Sequence, residues 1–149
     1  MSSRRQFVRG CLAAALLQPW LAGAQEREAP VLRFDELYGA VGPRGLSFSA
    51  RVNELRGRTV RMRGYAAPPL RADARFLVLT RQPMAICPFC SSDADWPADI
   101  MVVYCRQPSL VPGGQLLQVS GRLEAGSATD PDTGFVSQLR LRDAEIARS

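Results

Sequence analysis

The chain has 149 residues, with 19 arginines and no lysine against 14 acidic residues, and it contains no histidine. The missing imidazole excludes a Ser-His-Asp triad and any mixed Cys/His zinc set within one chain. A formal charge of +5 would suit a nucleic-acid partner, but the position of the arginines argues otherwise.

Residues 1–24 read as an export signal. Ser3-Arg4-Arg5-Gln6-Phe7-Val8-Arg9 follows the twin-arginine pattern, and the mildly apolar run "CLAAALLQPWLAGA" ends small-x-small at Ala22-Gly23-Ala24. A basic head, a short apolar run and a small-residue cleavage site make a removable segment, too short to span a bilayer. Cleavage after Ala24 is expected to leave a periplasmic protein of residues 25–149, without stable membrane insertion. Cys11, at the front of the apolar run and not where a lipid-anchor cysteine stands, leaves with the signal. Removing Arg4, Arg5 and Arg9 leaves 16 arginines against 14 acids, or +2. These are scattered along the chain, so neither charge nor compartment supports a nucleic-acid role.

About 125 residues suffice for one domain with one core. Residues 25–56 read as an irregular lead ending in a short helical turn, "SARVNEL", capped by Ser49 and stopped at Gly57. Residues 57–149 read as strands. "GRTVRMRGY" (57–65) alternates, with Val60 and Met62 on one side and Thr59, Arg61 and Arg63 on the other. "RFLVLT" (75–80) and "DIMVVYC" (99–105) are continuous apolar runs suited to strands covered on both faces. "QLLQVSGRLEA" (115–125) carries Gly121 as a bulge or bend, and "FVSQLRLRDAEI" (135–146) points Val136, Leu139 and Leu141 at the core. The connectors "APPL", "PGG" and "ATDPDTG" carry turn chemistry. The expected fold is mainly β: a small five-stranded OB-like barrel with a short helical lead and a long cysteine-bearing loop. A small sandwich is the alternative.

Residues 64–104 resemble a family of small, exported, largely uncharacterised bacterial proteins with an OB-like barrel. The likeness rests on Gly64-Tyr65 with Pro68-Pro69-Leu70, and on Phe76, Leu79, Thr80 and Pro83. It continues through Cys87-Pro88-Phe89-Cys90 and Trp96-Pro97-x-Asp99-Ile100. It covers about 40 residues well, and it implies the barrel more than any activity.

Three cysteines remain after export: Cys87, Cys90 and Cys105. If 75–80 and 99–105 pair antiparallel, Cys87 and Cys90 sit in the connection while Cys105 lies at the far end of its strand. At ~3.3 Å per residue that is roughly 15–20 Å from the loop base, so Cys105 is expected to be a buried apolar residue. The pair admits three readings. As a metal site it supplies two thiolates, and Asp93 and Asp95, a second copy's cysteines or a displaced Cys105 would complete a tetrahedral zinc set. As a dithiol enzyme it would use Cys87 as nucleophile and Cys90 as resolving residue, but Trp96-Pro97 cuts short the long helix that chemistry usually follows. As a structural disulfide it closes too small a loop to remove much entropy from the unfolded chain.

The metal reading is preferred. It makes the chain a binding or metal-trafficking accessory to an envelope protein or transporter component, more readily a non-enzyme than an enzyme, with homodimerisation as one route to a full ligand set. An interaction module with structural cysteines is the third class. The remaining candidates are weaker. "DPD" (130–132) lacks the spaced acids of a calcium loop and reads as a hairpin turn. Asp93, Asp95 and Asp99 fit a solvated loop better than acid–base work. Phe89 and Trp96 read as a lid over the barrel mouth. Met62, Met84 and Met101 do not cluster as a thioether copper site would.

Overall fold

The computed structural model describes residues 28–42, 45–69, 75–84, 97–107 and 111–147. The protein is mainly β. After a 3-10 turn at Phe34–Glu36 come β1 (Tyr38–Gly42), β2 (Gly45–Phe48) and the single described helix α1 (Ala50–Leu55). The remaining strands are β3 (Thr59–Ala66), β4 (Phe76–Thr80), β5 (Ile100–Cys105), β6 (Leu116–Thr129) and β7 (Val136–Ala147). Strands β3 to β7 pair in the closed order β3-β4-β5-β7-β6, and β1 and β2 form a separate two-stranded sheet.

All five strands read from the sequence are present, with β6 ending four residues later than expected. β5 and β7 pair parallel; the other neighbours in the ring are antiparallel. Period-two alternation explains the packing. Val60 and Met62 of β3 turn inward to meet Leu79, Met101, Val103, Leu117, Val119, Leu123, Leu139 and Leu141 in one buried cluster. β4 and β5 also bury their outer face, where Phe76, Val78, Ile100 and Val102 pack with Ala67, Tyr104 and Phe135. That second layer is why both strands are apolar without alternation.

The described part of the lead, 28–42 and 45–56, is more regular than the irregular segment expected. Leu32 and Leu37 belong to the main core, Val31 bridges to Arg61, and β1 and β2 form a hairpin. Ser49 caps α1 as expected: its hydroxyl accepts from the Val52 amide at 3.1 Å and donates to the Glu36 carbonyl at 2.5 Å. One side chain thereby satisfies a helix donor and ties α1 to the 3-10 turn, while Val52 and Leu55 enter the core.

Gly121 does face a bulge, but the extra residue lies in β7. Ser120 pairs with Glu145 and Arg122 with Arg142, so Gly121 stands opposite both Asp143 and Ala144. The β5–β7 register slips at the same place, between Val103–Leu141 and Cys105–Ala144. Asp143 supplies the turn with φ of 51°, a left-handed conformation that aspartate tolerates better than most residues. A Cβ at residue 121 would sit 3.0 Å from both the Arg142 carbonyl and the Ala144 Cβ. Glycine is therefore required by proximity to the neighbouring strand. Among the described residues no helix is long and apolar enough to cross a membrane.

Candidate functional site

The β4–β5 connection is anchored at its base. Thr80 pairs with Ile100, the Arg81 amide donates to the Asp99 carbonyl at 3.1 Å, and the buried Thr80 hydroxyl donates to the Gln82 carbonyl at 2.6 Å. Cys87, Cys90, Asp93 and Asp95, together with Phe89 and Trp96, lie outside the described residues. Asp99 is exposed. Among the described residues no three Cys, Asp or Glu side chains gather as metal ligands.

Cys105 stands at the opposite end of the β4–β5 pair from this base, since Phe76 faces Tyr104 and Thr80 faces Ile100. It is half-buried against the main core and free. Burial pushes its thiol pKa up, the reverse of what a nucleophile or ligand needs. The expectation of an apolar role therefore fits, with the correction that the side chain is not fully enclosed.

A polar network that the sequence did not suggest covers the outer face of β5, β6 and β7. Asp130 is 7% exposed in the β6–β7 turn. Its Oδ1 accepts from the amide and hydroxyl of Thr133 at 2.9 and 2.7 Å, and its Oδ2 from the Tyr104 hydroxyl at 3.1 Å. Burial raises the Asp130 carboxyl, but the hydrogen bonds from Thr133 and Tyr104 outweigh it and hold the group below its usual pKa. These bonds engage both oxygens, so the turn role of "DPD" stands. Tyr104 is pushed up to about 12, first by desolvation, then by the charge and hydrogen bond of Asp130.

Glu124 is the second hub. It accepts from Arg140 Nε at 3.0 Å, Arg122 Nη1 at 2.8 Å and Arg142 Nε at 3.4 Å. Burial pushes its carboxyl up, yet the three guanidinium groups, Arg140 foremost, hold it below the usual range. Arg140, 8% exposed, also donates to the Gly126 carbonyl at 2.8 Å. Beside this hub the β7 bulge opens a cleft of ≈ 270 Å³ lined by Thr59, Arg106, Ser120, Arg122, Arg142, Asp143 and Glu145, with Gly121 at its floor. Its arginines are far apart in sequence and meet only through strand pairing.

No family model matches the chain, and none of the curated proteins matches it. Among solved structures it is similar to the crystal structure of a DUF3299 family protein from Pseudomonas aeruginosa, at 15% identity and a TM-score of 0.45. The match covers 81% of this chain and 98% of that one. A likeness this distant carries no argument about activity.

Proposed function

We propose that this chain is a periplasmic accessory protein, exported by the twin-arginine route, whose OB-like barrel presents Cys87 and Cys90 as a metal-binding pair, with zinc the metal best suited. The observation that carries the reading is the β4–β5 register, which anchors a long cysteine-bearing connection at Thr80 and Ile100 and sets Cys105 at the other end of the pair. Two thiolates and the carboxylates of Asp93 and Asp95 make a four-donor set that needs no histidine and suits zinc's tetrahedral preference. Cys87 and Cys90 of a second copy are the other route to four ligands. The partner is then an envelope protein or transporter component that delivers or takes up the metal.

The test is elemental analysis with thiol counting on protein folded in the cytoplasm and purified without chelator. One zinc per chain, or one per two chains, is expected, lost on Cys87→Ser or Cys90→Ser and retained on Cys105→Ser. Metal-free protein whose two loop thiols oxidise and reduce reversibly would replace this reading with thiol–disulfide exchange.

A further inference from the structure

The cleft at the β7 bulge holds more cation than its own acids neutralise. Arg106 is paired with Glu145 at 2.9 Å. Arg122 is paired with Glu124 at 2.8 Å and with Asp143 at 3.5 Å. The two acids of the lining are thus committed, and Arg142 is the surplus. Its Nε reaches only the shared Glu124, at 3.4 Å, a carboxylate already held more closely by Arg122 and Arg140. One face of its guanidinium is taken by the Tyr104 ring, with Cζ 3.9 Å from the centroid, and the Nη edge finds no acceptor among the described residues.

Strand register sharpens the imbalance. Arg122 and Arg142 are directly opposed across β6 and β7, and like charges at opposed positions destabilise a sheet. The fold retains the pair where a bulge, the left-handed Asp143 and the obligatory Gly121 together make a concavity. Thr59 and Ser120 add hydroxyl groups to the lining. A guanidinium held over an aromatic ring at 3.9 Å is already positioned, so less freedom is lost when a planar or tetrahedral anion docks on its free edge.

We propose that this cleft binds a small oxyanion, a carboxylate or a phosphate group, on Arg142, with Arg106 and Arg122 flanking it. The existing ion pairs do not bar entry: Arg106 and Glu145 are well exposed, and pairs of that kind are individually weak. The cleft includes Arg106, just past the end of β5 away from the Thr80–Ile100 base of the cysteine-bearing connection, and the proposal stands whether or not that connection holds a metal.

The experiment titrates the full mature protein with inorganic phosphate and, separately, with succinate, at ionic strength matched by chloride, following backbone amide shifts by NMR. A saturable response centred on Thr59, Ser120–Arg122 and Arg142–Glu145 is expected. The ion that binds more tightly identifies the ligand as phosphate-like or carboxylate-like. Arg142→Gln should weaken binding by roughly tenfold or more, the loss expected of one charge-assisted bond. Arg51→Gln, which removes the same charge from the exposed face of α1, should leave it unchanged. If Arg142→Gln fails to fold, Arg106→Gln, at a well-exposed position, should weaken binding several-fold while leaving the fold intact. No saturable response to either ion, a response centred elsewhere, or equal weakening by Arg51→Gln would overturn the proposal.

Discussion

Replacing Gly64 with alanine tests the ring where its pairing is thinnest. β3 and β4 are matched through Tyr65–Thr80 and Ala66–Leu79, with one backbone bond just beyond β3, from the Ala67 amide to the Val78 carbonyl at 2.8 Å. A methyl group at residue 64 would lie 2.9 Å from the Thr80 carbonyl oxygen and 2.9 Å from Cε2 of Phe34. The Phe34 ring has some freedom to turn, but the Thr80 oxygen belongs to a backbone fixed by Tyr65 on one side and Ile100 on the other. Gly64 has no positive φ, so the substitution would otherwise gain about 0.5–1 kcal/mol by restricting the unfolded chain. Overpacking against a rigid neighbour costs about 1–3 kcal/mol. The expected balance is a loss of about 1–2 kcal/mol, or a drop in Tm of roughly 4–8 °C for a domain of this size. Thermal and urea unfolding followed by circular dichroism measures it. Gly39→Ala is the control, because its added methyl would meet the Ser47 hydroxyl at 3.4 Å and the Ser47 carbonyl oxygen at 3.9 Å, both ordinary contacts, and its effect should stay within about 0.5 kcal/mol. A Gly64→Ala protein as stable as the parent would refute the close approach of β3 and β4.

Two further outcomes are expected. Ser49→Ala removes both the α1 cap and the link to the Glu36 carbonyl, and should lower the urea-derived stability by about 0.5–2 kcal/mol; Ser49→Thr should restore most of it, and equal losses from both would show that the cap is not the cause. Tyr104 should ionise late, near 12. Its pKa is raised on folding, so its contribution to stability is full below about pH 10, the unfolded value, and is lost as pH rises through the folded value. Phenolate absorbance and unfolding between those pH values should both change in Tyr104→Phe, and an unchanged late transition would contradict the assignment to Tyr104.

Much of the fold was legible because half-buried strands announce themselves by alternation and doubly covered ones by continuous apolar runs. Val60 and Met62 are the first kind, and the Phe76–Thr80 and Ile100–Val103 stretches the second. The end of β6 was not legible. Ala125-Gly126-Ser127-Ala128 has little β-propensity, and it remains a strand because Ala128 and Thr129 find Ser137 and Val136 across the hairpin. The β1–β2 hairpin was missed for a related reason: Tyr38-Gly39-Ala40-Val41-Gly42 offers no alternation, and its order comes from packing that local sequence does not encode. Tyr38 and Phe48 stack at 5.8 Å. The arginine cleft was invisible in one dimension. Arg106, Arg122 and Arg142 look scattered until three strands and one bulge bring them to the same face. Gly121 was the available signal, and it marked the right place on the wrong strand.

Ring closure also bears on how this protein behaves when crowded. A strand at the edge of an open sheet offers a row of free amides and carbonyls, which is the template for aggregation by strand addition. Here each of the five long-range strands has a partner on both sides, so the largest sheet offers no lateral edge strand. The open edges of the described sheets fall to β1 and β2, five and four residues long, and the register slip between Tyr38 and Val41 disrupts one of them further. Short, irregular edges are poor templates. The exposed Leu46 on β2 marks where sticking between copies would begin, and a charged residue there would suppress it without touching the core.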